Sequence, residues 1–239
     1  MNRPYIFCHM LTSLDGKIMG NYMNTKEAES ASNDFYNIAF GKNAYYKHQG
    51  WLSGRITTDD NFTFYEKPLL DLNAKEVVKG DFIATTAASM YYVSIDIHGK
   101  LGWKSNILTY NDTKAHIIEL LCETTSNEYK DFLRKLNISY IIAGEDTLDI
   151  EQAMIKLKDL FKIETLMLGG GGVLNYTFMD AGMCDELSIV MCAAADGNST
   201  TPPLFLDKSN NDNQAFTFSL KEVKMLNNSN IWLRYLVNK

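Results

Sequence analysis

Four consecutive glycines, Gly169 to Gly172, stand between the apolar run Thr165–Leu168 and a stretch where Val173, Leu174, Tyr176, Thr177 and Phe178 fall at helical spacing. Residues without a Cβ leave backbone N–H groups bare and allow positive φ. At a helix N-terminus such N–H groups form an anion site, and phosphate is the usual anion. The same run also serves as a tight strand-to-helix turn in which glycine answers only to packing, and both readings stay open here. The pattern is neither G-x-G-x-x-G nor G-x-x-x-x-G-K-[ST]. Arg55, within Gly54-Arg55-Ile56-Thr57, carries a guanidinium suited to a nucleotide phosphate, with a solvated surface arginine as the alternative. Asp15, in Ser13-Leu14-Asp15-Gly16-Lys17, is the nearest ionisable group at the end of the first apolar run. It suits proton donation or the ordering of a water; it also suits a turn aspartate bonded to its own backbone. His9 lies in that apolar run and reads as a satisfied core histidine ahead of a catalytic one. Asp185 and Glu186 read as a structural cap or edge. Phe62, Phe64 and Tyr65 suit stacking on a heterocycle as well as ordinary packing.

Composition narrows the classes. The chain has 239 residues, 46% of them hydrophobic, enough for one sizeable core, and is expected to form one domain over residues 1–239. A net charge of −6 argues against a general nucleic-acid binder. No run of 18 apolar residues occurs, and Met1-Asn2-Arg3-Pro4 does not open a signal peptide, so no membrane partner is expected. Cys8, Cys122, Cys184 and Cys192 are scattered, mostly in apolar runs, as expected of buried thiols in a reducing cytoplasm. There is no C-x-x-C and no His-x-Glu beside a cysteine pair, so neither a zinc deaminase site nor any other metal centre is expected.

These residues need elements to hold them. Strands are expected over Pro4–Leu11 and Tyr91–Asp96, and Trp51 and Leu52 lead into Gly54-Arg55-Ile56-Thr57. Further strands are expected over Ile107–Tyr110, His116–Cys122, Ile138–Ala143, Thr165–Leu168 and Glu186–Cys192. Phe216–Met225 and Ile231–Val237 read as a terminal antiparallel pair. Residues 21–34 look like an exposed loop, with Asn33 or Asp34 capping a helix over Phe35–His48. Ser126 caps a helix through Leu136. Asp149 caps Ile150–Phe161, where Ile150, Ala153, Met154, Leu157 and Leu160 make one apolar stripe. A last helix runs from the glycines to Ala181. Residues 61–90 show weak periodicity and read as a long surface excursion. Strand–helix–strand alternation implies right-handed crossovers and a mainly parallel sheet, made mixed by the closing hairpin.

Four separated segments carry a resemblance. They are Pro4–Ile6 with Ser13–Lys17, Gly54–Thr57 with Asp59-Asp60, Tyr91–Asp96, and Leu166–Asn175 followed by Gly182–Leu187. In this order and spacing they resemble the reductase domain of the bacterial deaminase–reductase of riboflavin biosynthesis, in the dihydrofolate-reductase-like superfamily. The resemblance covers nearly the whole chain. It implies an α/β, three-layer dihydrofolate-reductase-like fold with a mixed, mainly parallel central sheet flanked by helices. It also implies an NADPH-dependent reductase that converts the ribosyl group of a phosphoribosylamino-pyrimidine to ribityl, and a homodimer. By the same match, Gly170, Gly171, Gly172, Val173 and Leu174 take the cofactor's phosphates, Gly54, Arg55, Ile56 and Thr57 form the Gly-Arg-x-Thr turn that holds NADPH, and Asp59 and Thr12 lie at the cofactor. Ser13 and Gly169 fall at substrate positions.

The chain departs from the family pattern in two places. The family has glutamate where Gly169 stands, and the arginines that meet the ribose phosphate have no counterpart between Asn43 and Tyr65 except Arg55. Lys47 or Lys67 could replace one, though an ammonium is no bidentate fork. Hydride transfer asks of the protein only orientation and a proton, for which Asp15 is the candidate. Arg55 and its neighbouring lysines favour NADPH over NADH, since no acidic residue follows the glycines by about 20 residues to take a free ribose 2′-hydroxyl. Reduction of another pyrimidine or pterin-like compound, and nucleotide binding without catalysis, stay open beside this activity. The large apolar residues of the terminal pair, Phe216, Phe218, Trp232, Leu233 and Tyr235, point to a homodimer surface.

Overall fold

The structure is a computed structural model that describes residues 2–208 and 215–238, so Met1 and Lys239, the ends of the range read as one domain, lie outside it. In chain order its strands and helices are β1 (Tyr5–Thr12), α1 (Lys26–Ala39), β2 (Gly50–Gly54), α2 (Arg55–Thr58), β3 (Tyr91–Ile95), β4 (Ile107–Tyr110), β5 (Thr113–Leu121), α3 (Asn127–Lys135), β6 (Ser139–Ile142), α4 (Ile150–Phe161), β7 (Thr165–Leu168), α5 (Gly172–Asp180), β8 (Glu186–Met191), β9 (Phe218–Met225) and β10 (Ile231–Val237). They fall into two compact units. The first is Met1–Pro4 with His48–Leu166, and the second is Tyr5–Lys47 with Met167–Lys239. The division passes through β7, between Leu166 and Met167.

In the first unit β2, β3, β5 and β6 pair in parallel, and β4 lies antiparallel on the start of β5. Ile117, Ile118, Leu120 and Leu121 of β5 are all buried. Strands covered on both faces need such continuous apolar runs rather than alternation. Glu119 interrupts this run and is fully buried. The helices α3 and α4 start where their caps predict. Ser126 Oγ accepts the N–H of Tyr129 at 3.2 Å, and Asp149 Oδ1 accepts that of Gln152 at 2.9 Å. Of the expected stripe on α4, Ala153, Met154 and Leu157 are buried together with Phe161, while Ile150 and Leu160 are half-buried. After a π-helical turn over Asp59–Thr63, the excursion runs without helix or strand to β3. Its far end is fastened to β6: Phe82 and Tyr140 exchange backbone hydrogen bonds of 2.9 Å. Arg134 lies over both rings, at 4.7 and 5.4 Å, and donates to the Val78 carbonyl.

In the second unit β1 pairs in parallel with β8, β8 antiparallel with β10, and β10 antiparallel with β9. The helix α1 packs against β1 and β8. Here the sequence expectation needs correction. Residues 21–34 hold a short 3-10 turn, Asn21–Asn24, and the first part of α1, and the helix ends at Ala39 rather than His48. The cap is Thr25, whose Oγ1 accepts the Ala28 N–H at 3.2 Å, and not Asn33 or Asp34. Glu27 and Glu29 in the first turn complement the helix dipole. The buried side is made of Ala28, Ala31 and Ala39, residues too small to give a strong apolar period. The terminal pair forms as expected, but its exposed apolar side chains are Leu220, Val223, Met225 and Leu236, whereas Trp232 is buried.

Candidate active site

The glycine turn lies in the second unit and opens α5. Gly170 has φ +81° and Gly171 φ +33°, backbone that a side chain would strain. Its N-cap, Gly171, has no side chain to cap α5, and the first turn of the helix holds no acidic residue. Space around the turn is small. A Cβ on Gly170 would come within 2.8 Å of the Met10 sulfur, and one on Gly172 within 2.4 Å of the Pro203 carbonyl oxygen. Gly169 is half-buried, Val173 is exposed and Leu174 half-buried.

The Asp15 turn lies in the same unit, at the end of β1. Thr12 and Ser13 are buried, and Asp15 is exposed. Ser13 Oγ donates to Asp15 Oδ1 at 2.6 Å and accepts the Lys17 N–H at 2.9 Å, so the hydroxyl is engaged within the turn. Asp15 also accepts the N–H groups of Asp196 and Gly197, both at 2.9 Å. The Ser13 hydroxyl, and after it those two amides, hold the Asp15 carboxyl below the usual carboxylate range. At neutral pH it is therefore an ionised acceptor.

Between these two turns runs Pro202–Leu206, a segment without a sequence motif. Ile18 N–H bonds the Pro202 carbonyl at 3.1 Å, Lys17 bridges to Pro203, and Leu204 N–H bonds the Gly16 carbonyl at 3.0 Å. At its other side Leu206 N–H bonds the Gly172 carbonyl at 3.0 Å, and Asn175 Nδ2 donates to the Leu204 carbonyl at 3.0 Å. One strap thus touches both motifs. Its contacts are nearly all backbone to backbone, and residue types do not announce such contacts.

Gly54, Arg55, Ile56, Thr57 and Asp59 lie in the first unit, where β2 ends in Gly54 and α2 begins. Arg55 Nη1 donates to Asp59 Oδ2 at 2.7 Å, and Thr63 Oγ1 to Asp59 Oδ1 at 2.6 Å. Asp59 is buried while Arg55 is about one-third exposed, so the carboxylate aims a guanidinium that still reaches solvent. Thr58 Oγ1 meets Tyr92 OH at 2.7 Å and Ser94 Oγ at 3.0 Å, which ties the turn to β3. Ile56 is exposed and Thr57 half-buried. Phe62 packs edge-on against Tyr92 at 5.0 Å, while Phe64 and Tyr65 stand exposed with φ of 50° and 60°.

The remaining chemically interesting groups are structural. His9 bonds Ser188 Oγ at 2.8 Å and the Phe35 carbonyl at 3.0 Å, stacks on Phe35 at 4.4 Å, and is held by burial at a pKa of about 4. Asp185 accepts the Ile6 N–H at 2.9 Å. Burial alone would push Glu186 up, but hydrogen bonds from Arg234, Lys221, Tyr46 and Tyr5 outweigh it and hold the group at about 2. In the first unit, burial first and the Asp96 charge second push Glu119 well above the usual range, and Trp103 Nε1 donates to it. Among the described residues no group of three or more His, Cys, Asp or Glu side chains is placed to hold a metal ion. No helix among them is long and apolar enough to cross a membrane.

The mixed, mainly parallel strands, the flanking helices and the glycine turn define an α/β protein of the dihydrofolate-reductase-like fold. Residues 4–231 match the family described as RibD C-terminal domain, and the chain belongs to that family. Solved structures show the same fold. A pyrimidine reductase-like protein from Corynebacterium diphtheriae aligns over all of this chain and 93% of its own, at 15% identity and a TM-score of 0.69. Acinetobacter baumannii RibD aligns over all of this chain at 17% identity and a TM-score of 0.64; this chain spans only 59% of that one. The Saccharomyces riboflavin biosynthesis reductase Rib7 aligns over all of this chain and 91% of its own, at 15% identity and a TM-score of 0.61. No curated protein matches the chain.

Proposed function

We propose that this chain is an NADPH-dependent reductase of the riboflavin pathway, one reductase domain over residues 1–239, acting on 5-amino-6-(5-phosphoribosylamino)uracil or a close pyrimidine analogue. The observation that carries this reading is the glycine turn, with positive φ at Gly170 and Gly171 and a glycine at the N-cap of α5. It is supported by membership of the RibD C-terminal domain family. Within the second unit the glycine turn suits the phosphates of a dinucleotide. Gly170, Gly171, Gly172, Val173 and Leu174 would take its phosphates, because the backbone N–H groups of a helix N-terminus favour anions. By the family resemblance Gly54, Arg55, Ile56 and Thr57, considered within the first unit, would be cofactor contacts, with Asp59 holding Arg55. A guanidinium so held suits a 2′-phosphate and favours NADPH over NADH.

When bound, the dinucleotide supplies the hydride. The chain's own residues position and exclude. Asp15, ionised and held by Ser13 and two amides, orders the turn at the end of β1 and can accept a hydrogen bond from a water; as an acid it is unsuited at neutral pH. Thr12 lends its buried backbone to the same turn, where its carbonyl accepts the Cys192 N–H at 2.7 Å. Gly169, where the family has glutamate, leaves room at the substrate. Leu14, exposed beside Asp15, offers an apolar contact for a heterocycle. The four buried free cysteines support a place in the cytoplasm. Exposed Leu220, Val223 and Met225 on β9, the last strand of its sheet, support a homodimer.

Steady-state oxidation of NADPH with the phosphoribosylamino-uracil tests the activity, and fluorescence titration with NADPH and NADH tests the cofactor. Turnover of that substrate, with NADPH bound more tightly than NADH, is expected. NADPH binding without turnover of any pyrimidine or pterin would favour a binding module without catalysis, a reading to which Gly169 in place of glutamate lends weight.

A further inference from the structure

Asn175 sits one turn into α5 and is fully buried. Its Nδ2 donates to the Leu204 carbonyl, which fixes the orientation of the amide. Its Oδ1 is buried and has no hydrogen-bond partner among the described residues. That oxygen lies 3.4 Å from the position a Cβ on Gly170 would occupy. The side chain thus has one end on the strap and the other against the glycine turn. A helix position of this burial would accommodate a leucine of similar size at lower cost, since a buried acceptor without a donor is unfavourable. Asn175 makes sense as the residue by which α5 holds the strap.

We propose that Asn175 is a positioning residue for the dinucleotide: its amide holds the Leu204 carbonyl of the strap while its backbone N–H holds the Gly171 carbonyl at 2.9 Å, and so it fixes the face on which α5 presents its first amide groups. This rests on the reading of that turn as the cofactor's phosphate cradle. The strap carries the constraint further. Leu206 N–H holds the Gly172 carbonyl and Leu204 N–H holds the Gly16 carbonyl, so the residue that seats the strap also seats the Asp15 turn. Loosening Asn175 therefore reaches both motifs, although it touches neither substrate nor cofactor.

Two variants test this. Asn175→Leu keeps the size and removes both amide ends, and NADPH Kd should weaken by about tenfold, the worth of one hydrogen bond, while the protein still melts cooperatively. Asn175→Asp keeps the shape but can donate to the Leu204 carbonyl only when protonated. When ionised it also places a charge beside the phosphate cradle. Its NADPH affinity should therefore fall as pH rises from mildly acid to mildly alkaline, relative to a wild-type profile measured alongside. A role confined to stability would move the melting temperature of Asn175→Asp without this divergence in affinity. If wild-type protein fails to bind NADPH, the cofactor reading falls and this proposal with it. If wild type binds and Asn175→Leu binds as tightly, the cofactor reading stands and the positioning role is overturned. Should Asn175→Leu fail to fold, an Asn175→Asp profile parallel to that of wild type overturns the role by itself.

Discussion

Replacing Gly172 by alanine probes the strap by contact alone. Gly172 lacks positive φ, so the methyl group adds no backbone strain, but it would sit 2.4 Å from the Pro203 carbonyl oxygen, where ordinary contact begins at 3.4 Å. The strap must retreat by roughly the 1 Å between these values, and Leu206 N–H, now 3.0 Å from the Gly172 carbonyl, is the first bond to stretch. Forced overpacking costs about 1–3 kcal/mol and a lost neutral hydrogen bond about 0.5–1.5 kcal/mol. A loss of roughly 2–4 kcal/mol is expected, within the reserve of about 5–15 kcal/mol of an ordinary domain. Gly182→Ala is the control, because Gly182 has φ +64° with nothing within 4 Å of its would-be Cβ. It carries left-handed strain alone, about 1–2 kcal/mol, and lies away from the cradle. Urea unfolding with NADPH titration reads both variants. Gly172→Ala should lose stability and NADPH affinity together, and Gly182→Ala stability only. Wild-type affinity in Gly172→Ala, at no greater cost than in Gly182→Ala, would refute the placing of the strap against the glycine turn.

Other outcomes follow from buried charge. Arg234→Met leaves Glu186, 1% exposed, without its guanidinium and should cost about 3–5 kcal/mol in chemical denaturation, part of which Glu186→Gln in the same chain restores. His9, held at about 4 against 6.5 when unfolded, binds fewer protons folded than unfolded, so it contributes stability above pH 6.5 that drains away down to about pH 4. That amounts to about 3 kcal/mol at most, and His9→Gln should flatten the slope of stability against pH in this window. Glu119 has the opposite sense. Its raised pKa makes the folded state bind more protons, so stability falls as pH climbs above 4.5, and Glu119→Gln should melt higher than wild type in mildly alkaline buffer. An unchanged melting temperature there would mean that Glu119 ionises without penalty.

The legible parts of this chain were those with local signals. Asp149 and the apolar spacing after it marked α4, whose C-cap in the structure is the left-handed Lys162. Thr165–Leu168 stood out because a short apolar run met four glycines. The helix α1 was misplaced because alanines cover its buried side and because Asn33 and Asp34 offered a second plausible cap downstream of Thr25. Residues that act in pairs were only half visible. Arg55 and Asp59 each read as a cofactor contact, while their hydrogen bond makes one the holder of the other. Asp15 was legible as a turn residue, but the amides of Asp196 and Gly197 that hold it come from 181 and 182 positions away. The strap had no signature at all, since its backbone bonds any sequence without extra prolines could make.

The second unit is assembled from the two ends of the chain, with residues 48–166 between them. His9 on β1 leaves the ribosome 179 positions ahead of Ser188, the residue on β8 that it bonds. At synthesis rates of about 5–20 residues per second, β1 waits roughly 10–35 s before its parallel partner exists. During that interval Ile6, Phe7 and Cys8, all fully buried in the finished protein, have no native β8 to cover them. Holdase chaperones should therefore engage nascent chains of this protein at their first strand. A circular permutant of residues 1–239 that begins within the 61–90 excursion and joins position 239 to position 1 would bring β1 out after β10 and remove that wait.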